Sequence, residues 1–211
     1  MNLILNISFT FLLLYTVESL QCYTCMSEEC NETMLQTCSS GDICSTSTKQ
    51  LGPLGTRVSK ECSSIEESCV SLATTTILSV SSGYSHASNT AYCCRTDGCN
   101  LKTLSVLSDK PNTLQCYTCN SKEDRVCDTT LKCIGVEDHC FNFTEPTHDG
   151  SNDEENVPSL GCASADFCSL FETHYLPNNF QCCKGNLCNK ALGMSLKSPL
   201  VLLGVLVISL A

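Results

Sequence analysis

The sequence predicts a small all-β, disulfide-rich fold that occurs twice in tandem. Three observations lead to this prediction. Twenty cysteines stand among 211 residues, a density typical of a disulfide scaffold. Ten cysteines in one half match ten in the other in their order. The chain has no Trp and few large apolar residues between its two apolar ends. A conventional core would therefore be small, and disulfide bridges must supply the stability that burial cannot.

Residues 1–19 are predicted to be a secretory signal peptide. The apolar run Leu3–Val17 is short for a membrane span, which needs about 20 residues. Val17 and Ser19 fit the small-residue rule for cleavage after Ser19. The segment before the run has no Lys or Arg, and a membrane anchor is the alternative interpretation. Secretion implies an oxidising compartment, in which the cysteines form bridges.

The cysteine framework divides the rest of the chain into two repeats, 20–100 and 114–189, joined by a predicted linker, 101–113. Each repeat opens with Leu-Gln-Cys-Tyr-Thr-Cys and closes with a Cys-Cys pair, four residues and Cys-Asn. Agreement at both ends with different spacing between them indicates a duplicated domain with variable loops. Because ten cysteines allow hundreds of pairings, the spacing alone does not define the connectivity.

These motifs resemble the three-finger domain of the urokinase-receptor and lymphocyte-antigen family, and the resemblance covers both repeats. It implies that Asn100 and Asn189 tie the end of each domain to its base by hydrogen bonds. It also implies five bridges in each repeat: Cys22–Cys44, Cys25–Cys30, Cys38–Cys62, Cys69–Cys93 and Cys94–Cys99 in the first, and Cys116–Cys140, Cys119–Cys127, Cys133–Cys162, Cys168–Cys182 and Cys183–Cys188 in the second.

The segments between the bridges are predicted to be β-hairpin fingers with almost no helix. In the first repeat, the middle finger Ser45–Glu61 has Thr-rich arms around a Gly-Pro turn at Leu51–Gly55. The third finger, Val70–Tyr92, is rich in β-branched residues. In the second repeat, the middle loop Phe141–Gly161 carries the acidic run "HDGSNDEENVP", which predicts a solvated tip, and the third finger Ser169–Gln181 is short.

The C-terminal segment 190–211 is predicted to be a glycosylphosphatidylinositol (GPI) attachment signal. Its apolar run Pro199–Ala211 is too short to span a bilayer, and small residues precede a fairly polar spacer. Asn189 is ranked first as the attachment (ω) residue, with Ala191 and Gly193 as alternatives. A short transmembrane helix is the competing interpretation.

Two sequons lie outside the predicted signal peptide, at Asn31-Glu-Thr33 and Asn142-Phe-Thr144. Both asparagines are predicted glycosylation sites, on surfaces that face solvent. A third sequon, at Asn6, would be removed with the signal peptide.

Catalytic, metal and nucleic-acid functions are not favoured, and no cofactor is predicted. The two Cys-Tyr-Thr-Cys motifs lack the βαβ context of a redox enzyme. His86, His139, His148 and His174 lack paired metal-ligand spacing. The adjacent acids Asp153, Glu154 and Glu155 lie on a predicted loop tip, whereas catalysis needs fixed geometry. The net charge of −10 argues against nucleic acid and anionic lipid surfaces.

These features predict a non-enzymatic, GPI-anchored protein at the extracellular face of the plasma membrane, which binds an extracellular or cell-surface protein through its fingers. The candidate binding residues are Ile77, Leu78, Val80 and Tyr84 of the first repeat's third finger; packing against neighbouring fingers is the alternative for them. A soluble secreted factor is the second hypothesis, because two-domain phospholipase inhibitors and pheromone precursors resemble this pattern but lack the apolar tail. A redox enzyme using Cys-Tyr-Thr-Cys is the third.

Overall fold

The computed structural model describes residues 19–25, 29–64, 69–146, 156–175 and 179–190. The apolar run of the predicted signal peptide, the acidic residues 147–155 with His148, the alternative ω residues Ala191 and Gly193, and the apolar tail lie outside the described residues.

The described chain is built mainly from antiparallel strands and ten disulfides, which confirms the predicted fold class. Its strands are β1 (Gln21–Cys25), β2 (Thr33–Thr37), β3 (Ile43–Gln50), β4 (Thr56–Ser63), β5 (Thr75–Ser81), β6 (His86–Cys94), β7 (Pro111–Thr118), β8 (Thr129–Ile134), β9 (His139–Pro146), β10 (Asn156–Ala163) and β11 (Phe180–Cys183). One short helix, α1 (Ala165–Leu170), continues into a π-helical turn, Phe171–Tyr175.

The first compact unit contains the described residues up to Ile77 together with Asn89–Val106. Within it, β1 and β2 form a separate two-stranded sheet. β3 and β4 pair along their whole length, and β6 lies on the other side of β3. The Thr and Val side chains of these strands suit a pleated, half-buried surface, which explains why this segment forms the predicted finger.

The second compact unit contains Leu78–Ser88 together with the described residues from Leu107 onward. Here β7 pairs with β8, and β9 lies between β10 and β11. The end of β5 joins this unit, because Ser81 pairs with Cys162 and Val80 with Ala163. A Cβ placed on Gly161 would lie only 1.9 Å from the Ser81 carbonyl oxygen, so glycine is required at this close approach.

Disulfides form much of the buried interior of each unit. The buried sulfurs of Cys22, Cys38, Cys44 and Cys94 cluster in the first unit, and those of Cys116, Cys133, Cys140 and Cys162 cluster in the second. The ten bridges join the same pairs that the family resemblance implies. Each bridge stabilises a fold by about 2–4 kcal/mol, and together they replace a larger apolar core.

The segment predicted as the short third finger of the second repeat departs from pure β-structure. Ser164 caps α1 by accepting a hydrogen bond from the Phe167 backbone nitrogen. Phe167 and Phe171 then stack with ring centroids 4.1 Å apart. Both rings pack against the buried Phe141 and Phe180. In a helix, side chains four residues apart lie one turn apart on the same face and can stack, whereas in a strand they would be about 13 Å apart.

The first half of the predicted linker is held by side chains of the first unit. Thr48 Oγ1 donates a hydrogen bond to the Leu104 carbonyl at 2.9 Å. Lys60 Nζ donates to the Leu101 carbonyl, and burial lowers the pKa of Lys60. Residues up to Val106 consequently belong to the first compact unit.

Candidate functional site

The tip of the first repeat's middle finger, Leu51–Gly55, exposes two leucines. Leu54 is 83% exposed and Leu51 is 45% exposed. The turn is closed by a hydrogen bond of 3.1 Å from the Leu51 nitrogen to the Gly55 carbonyl. Gly52 and Gly55 have φ angles of 47° and 84°, a region that favours glycine. The backbone therefore places the two leucines at the end of a β-hairpin.

Two cations flank this apolar tip. Lys49 on β3 pairs directly with Arg57 on β4, and both side chains are exposed. Like charges directly opposite each other destabilise a strand pair. Among the described residues, neither cation forms an ion pair with a carboxylate. The arrangement costs stability in the free protein, so it favours a partner that supplies negative charge beside an apolar surface.

The four candidate residues from the sequence, Ile77, Leu78, Val80 and Tyr84, are all half-buried. Val80 packs against the cluster that contains Phe141 and Phe180, and Tyr84 packs against the cluster that contains Leu160. Part of the apolar surface of Val80 and Tyr84 is thus used within the second compact unit. Their role in binding a partner stays a prediction, and the Leu51–Gly55 tip offers more accessible apolar surface.

Glu137, which no sequence pattern indicated, has a fully buried side chain. Its Oε1 accepts hydrogen bonds from Ser79 Oγ at 3.0 Å and from Ser81 Oγ at 2.5 Å. Its Oε2 accepts from the Ile134 nitrogen at 3.0 Å. No sequence motif marks this isolated glutamate, because its serine partners lie more than fifty positions away in the chain.

Ser81, His86 and Glu137 meet, but their geometry is not that of a catalytic triad. Ser81 Oγ lies 3.0 Å from His86 Nδ1, and the same nitrogen lies 3.8 Å from Glu137 Oε1. In a triad, the serine and the carboxylate face opposite nitrogens of the imidazole. Here the buried Ser81 hydroxyl lies within hydrogen-bond distance of the Glu137 carboxyl group itself, so the cluster supplies hydrogen-bond partners to a buried polar side chain.

The two Cys-Tyr-Thr-Cys motifs do not form dithiol pairs. Cys22 and Cys25 bridge to different partners, as do Cys116 and Cys119. The close sulfur groups Cys22–Cys38–Cys62 and Cys116–Cys133–Cys162 also consist of bridged cysteines. A metal needs the free thiolate, so these sulfurs are not ligands while the bridges are intact.

Asn100 and Asn189 close the two repeats in the same way. Asn100 is fully buried; its side chain accepts from the Tyr23 nitrogen and donates to the carbonyls of Tyr23 and Ser45 at 2.8–2.9 Å. Asn189 is 3% exposed and makes the equivalent contacts with Tyr117 and with the Phe141 carbonyl. Each asparagine therefore joins the C-terminal end of its repeat to the first strand.

The pKa of Asp124 is lowered by hydrogen bonds from the Ser121 hydroxyl and from the backbone nitrogens of Asn120 and Ser121. These bonds favour the ionised carboxylate, which closes a turn in the loop between β7 and β8. The stabilisation is present above the ordinary pKa of an aspartate and is lost as the pH falls through the lowered value.

The predicted glycosylation residues stand in different surroundings. Asn31 is exposed, and its Nδ2 donates to Glu29 Oε2 at 2.8 Å. Asn142 is half-buried on β9, where it pairs with Leu160 of β10 and Gln181 of β11.

The described residues define a class of protein: tandem disulfide-knotted β-domains that present hairpin fingers. The u-PAR/Ly-6 domain model matches residues 18–102 and 112–191. The chain therefore belongs to the u-PAR/Ly-6 family, as the cysteine motifs predicted. Domains of this family are typically extracellular binding or receptor-like modules and are generally non-enzymatic. Family members are secreted or GPI-anchored.

Among curated proteins, the chain is similar to Protein RoBo-1 of Rattus norvegicus, with 30% identity over 118 residues. The aligned region covers 54% of this chain and 46% of the relative, so the chain matches less than half of that protein's length. In the described part of the chain, no helix has both the length and the apolar character needed to cross a membrane.

Proposed function

We propose that this protein is a non-enzymatic, GPI-anchored binding protein of the cell surface, which contacts an extracellular protein through the Leu51–Gly55 tip. The observation that carries this proposal is the pair of exposed leucines at the end of a β-hairpin, beside the exposed cations Lys49 and Arg57, which form no ion pair among the described residues. Binding surfaces commonly combine apolar anchors with peripheral charges that steer the partner. Family membership supports the extracellular setting.

The GPI anchor is proposed from the sequence pattern of residues 190–211. The surroundings of Asn189 in the structure help to choose among the candidate attachment residues. The ω residue must enter a transamidase in an accessible segment. Asn189 is buried and fixed by three hydrogen bonds of 2.8–2.9 Å, so its surroundings favour Ala191 or Gly193 over our first-ranked residue. Attachment at either would leave the Asn189 hydrogen bonds intact.

Phosphatidylinositol-specific phospholipase C is expected to release the protein from cells that express it with a tag after Leu20. Cleavage of a GPI anchor separates the protein from its lipid, so the surface signal should fall and the tag should appear in the medium. The checking measurement is flow cytometry with immunoblotting of the medium. Resistance together with a C-terminal peptide that extends to Ala211 contradicts the anchor, and tag in the medium of untreated cells favours the secreted alternative.

Replacing Leu51 and Leu54 with Ser is expected to reduce binding of the released protein to partner-bearing cells at least tenfold. Each leucine removed from an interface costs on the order of 1–2 kcal/mol. Biotinylated, lipase-released protein is titrated on a panel of cells by flow cytometry. Val126→Ser, at a residue 74% exposed in the second repeat, is the matched control and should bind like the wild type. Equal loss in both variants, or no loss in the tip variant, contradicts the proposed contact surface.

A further inference from the structure

The first finger of the first repeat has an open strand edge. β2 is the outer strand of a two-stranded sheet, paired only with β1 among the described strands. All five of its residues are exposed. In an antiparallel strand with one neighbour, alternate residues direct their N–H and C=O groups away from that neighbour. β2 therefore presents unpaired backbone groups that another strand could pair with.

This edge also carries apolar side chains and no charge. Met34 is 55% exposed and Leu35 is 53% exposed. Because successive side chains point to opposite faces of a strand, each face of β2 shows one of them. The strand reads Thr-Met-Leu-Gln-Thr, with neither Lys nor Pro. Open apolar edges of this kind promote edge-to-edge association unless the protein protects them.

The equivalent strand of the second repeat, β8, carries an exposed lysine, which protects its edge against strand addition. β8 reads Thr-Thr-Leu-Lys-Cys-Ile and pairs with β7 as β2 pairs with β1. Lys132 is exposed in the middle of β8, and the neighbouring Leu131 is half-buried. A charged side chain, Lys above all, opposes strand addition because pairing would desolvate it. The two strands thus differ in charge: β8 carries the exposed Lys132, whereas β2 carries no charged side chain.

The first repeat has no lysine on β2, but it has a sequon just before this strand. Asn31 is exposed and lies two residues before the start of β2. Leu35 is four residues further on, about 13 Å away at the rise of a strand, which is within reach of a branched oligosaccharide. No sequon stands in the equivalent segment of the second repeat, where Asp128 follows Cys127.

We propose that Asn31 carries an N-linked glycan that covers the open edge of β2 and prevents it from pairing with β2 of a second copy of this chain. The bulky, hydrated sugar excludes another strand by volume, and it does so without any charge on the strand. Its role in the first repeat corresponds to that of Lys132 in the second.

The test compares self-association of the mature protein made in mammalian cells, collected from the medium or from the cell surface whether or not the lipase releases it. Peptide mapping first measures the occupancy of Asn31, and sedimentation velocity over a concentration series then measures the mass. Wild type and Asn142→Gln, which removes the other sequon, are expected to stay monomeric. Asn31→Gln is expected to form concentration-dependent dimers and larger species. Adding Leu35→Lys to Asn31→Gln, which places a charge in the middle of β2, should restore the monomer.

A second preparation covers the case in which Asn31→Gln is not secreted. Wild-type protein made with high-mannose glycans is trimmed by endoglycosidase H to one sugar per site, and its mass is measured before and after. Trimming should cause association in wild type but not in Leu35→Lys. Each of three results would overturn the proposal. Asn31 carries no glycan; Asn31→Gln or the trimmed wild type stays monomeric; or association occurs and Leu35→Lys does not reverse it.

Discussion

Replacing Asn189 with Ala is expected to destabilise the second repeat by about 3–4 kcal/mol. The substitution removes the side-chain hydrogen bonds with the backbone nitrogen and carbonyl of Tyr117 and with the Phe141 carbonyl, together with a longer one, of 3.5 Å, to the Gly161 carbonyl. A net hydrogen bond contributes about 1 kcal/mol, and each buried group left unsatisfied adds to the loss. The measurement is the free energy of unfolding in denaturant with the disulfides intact.

Asn186→Ala is the matched control for this prediction. Asn186 is exposed, and its side chain accepts one hydrogen bond, from the Gln115 nitrogen at 3.0 Å. Both variants shorten an asparagine in the same closing segment, so only the buried bonds distinguish them. We expect Asn186→Ala to lose about 1 kcal/mol or less. Similar losses in the two variants would show that the buried asparagine does not close the repeat.

Replacing Glu137 with Ala is expected to cost about 3 kcal/mol and to loosen Leu78–Ser88 within the second compact unit. The Ile134 nitrogen and the hydroxyls of Ser79 and Ser81 lose their acceptor. Because Ser79 and Ser81 are buried, water cannot replace the carboxylate as their acceptor without a cost in free energy. Denaturant unfolding measures the loss, and hydrogen exchange measures the local effect on residues 78–88, which should exchange faster.

Asp138→Ala is the matched control, because it removes the carboxyl group of the adjacent residue. The Asp138 side chain is 56% exposed and contacts His139 Nδ1 at 2.7 Å. An exposed side-chain hydrogen bond contributes about 1 kcal/mol or less, so a small change is expected, with no faster exchange in residues 78–88. If both acid substitutions had the same effect, net charge rather than the buried hydrogen bonds would be responsible.

Much of the architecture could be predicted because cysteine chemistry is readable along the chain. Two copies of one cysteine order indicated two domains, and the secretory context indicated bridges. The Gly-Pro turn at Leu51–Gly55 was predicted from residue types alone, since Gly52 and Gly55 adopt positive φ. The short helix at Ala165–Leu170 was not, because its formation depends on aromatic packing between segments distant in sequence.

The candidate site was predicted less well. Leu78 and Val80 were predicted as binding residues because they are apolar and lie in a β-prone run. Period-two alternation, however, does not show which face of a strand is buried. In the structure, the polar residues Ser79 and Ser81 face the interior, because the buried Glu137 needs their hydroxyls. From sequence alone, serine is expected on the solvent-exposed face of a strand. Only the three-dimensional structure shows that Glu137 is the partner of these two serines.

By itself, the sequence determined the all-β disulfide class and the family of this protein, because covalent bridges and the spacing of their cysteines are properties of the chain. The tertiary structure alone decided which side chains remain accessible. It assigned Leu78–Ser88 to the second compact unit and exposed Leu54 and the edge of β2. Exposure depends on contacts between residues far apart in sequence, and local composition does not encode those contacts.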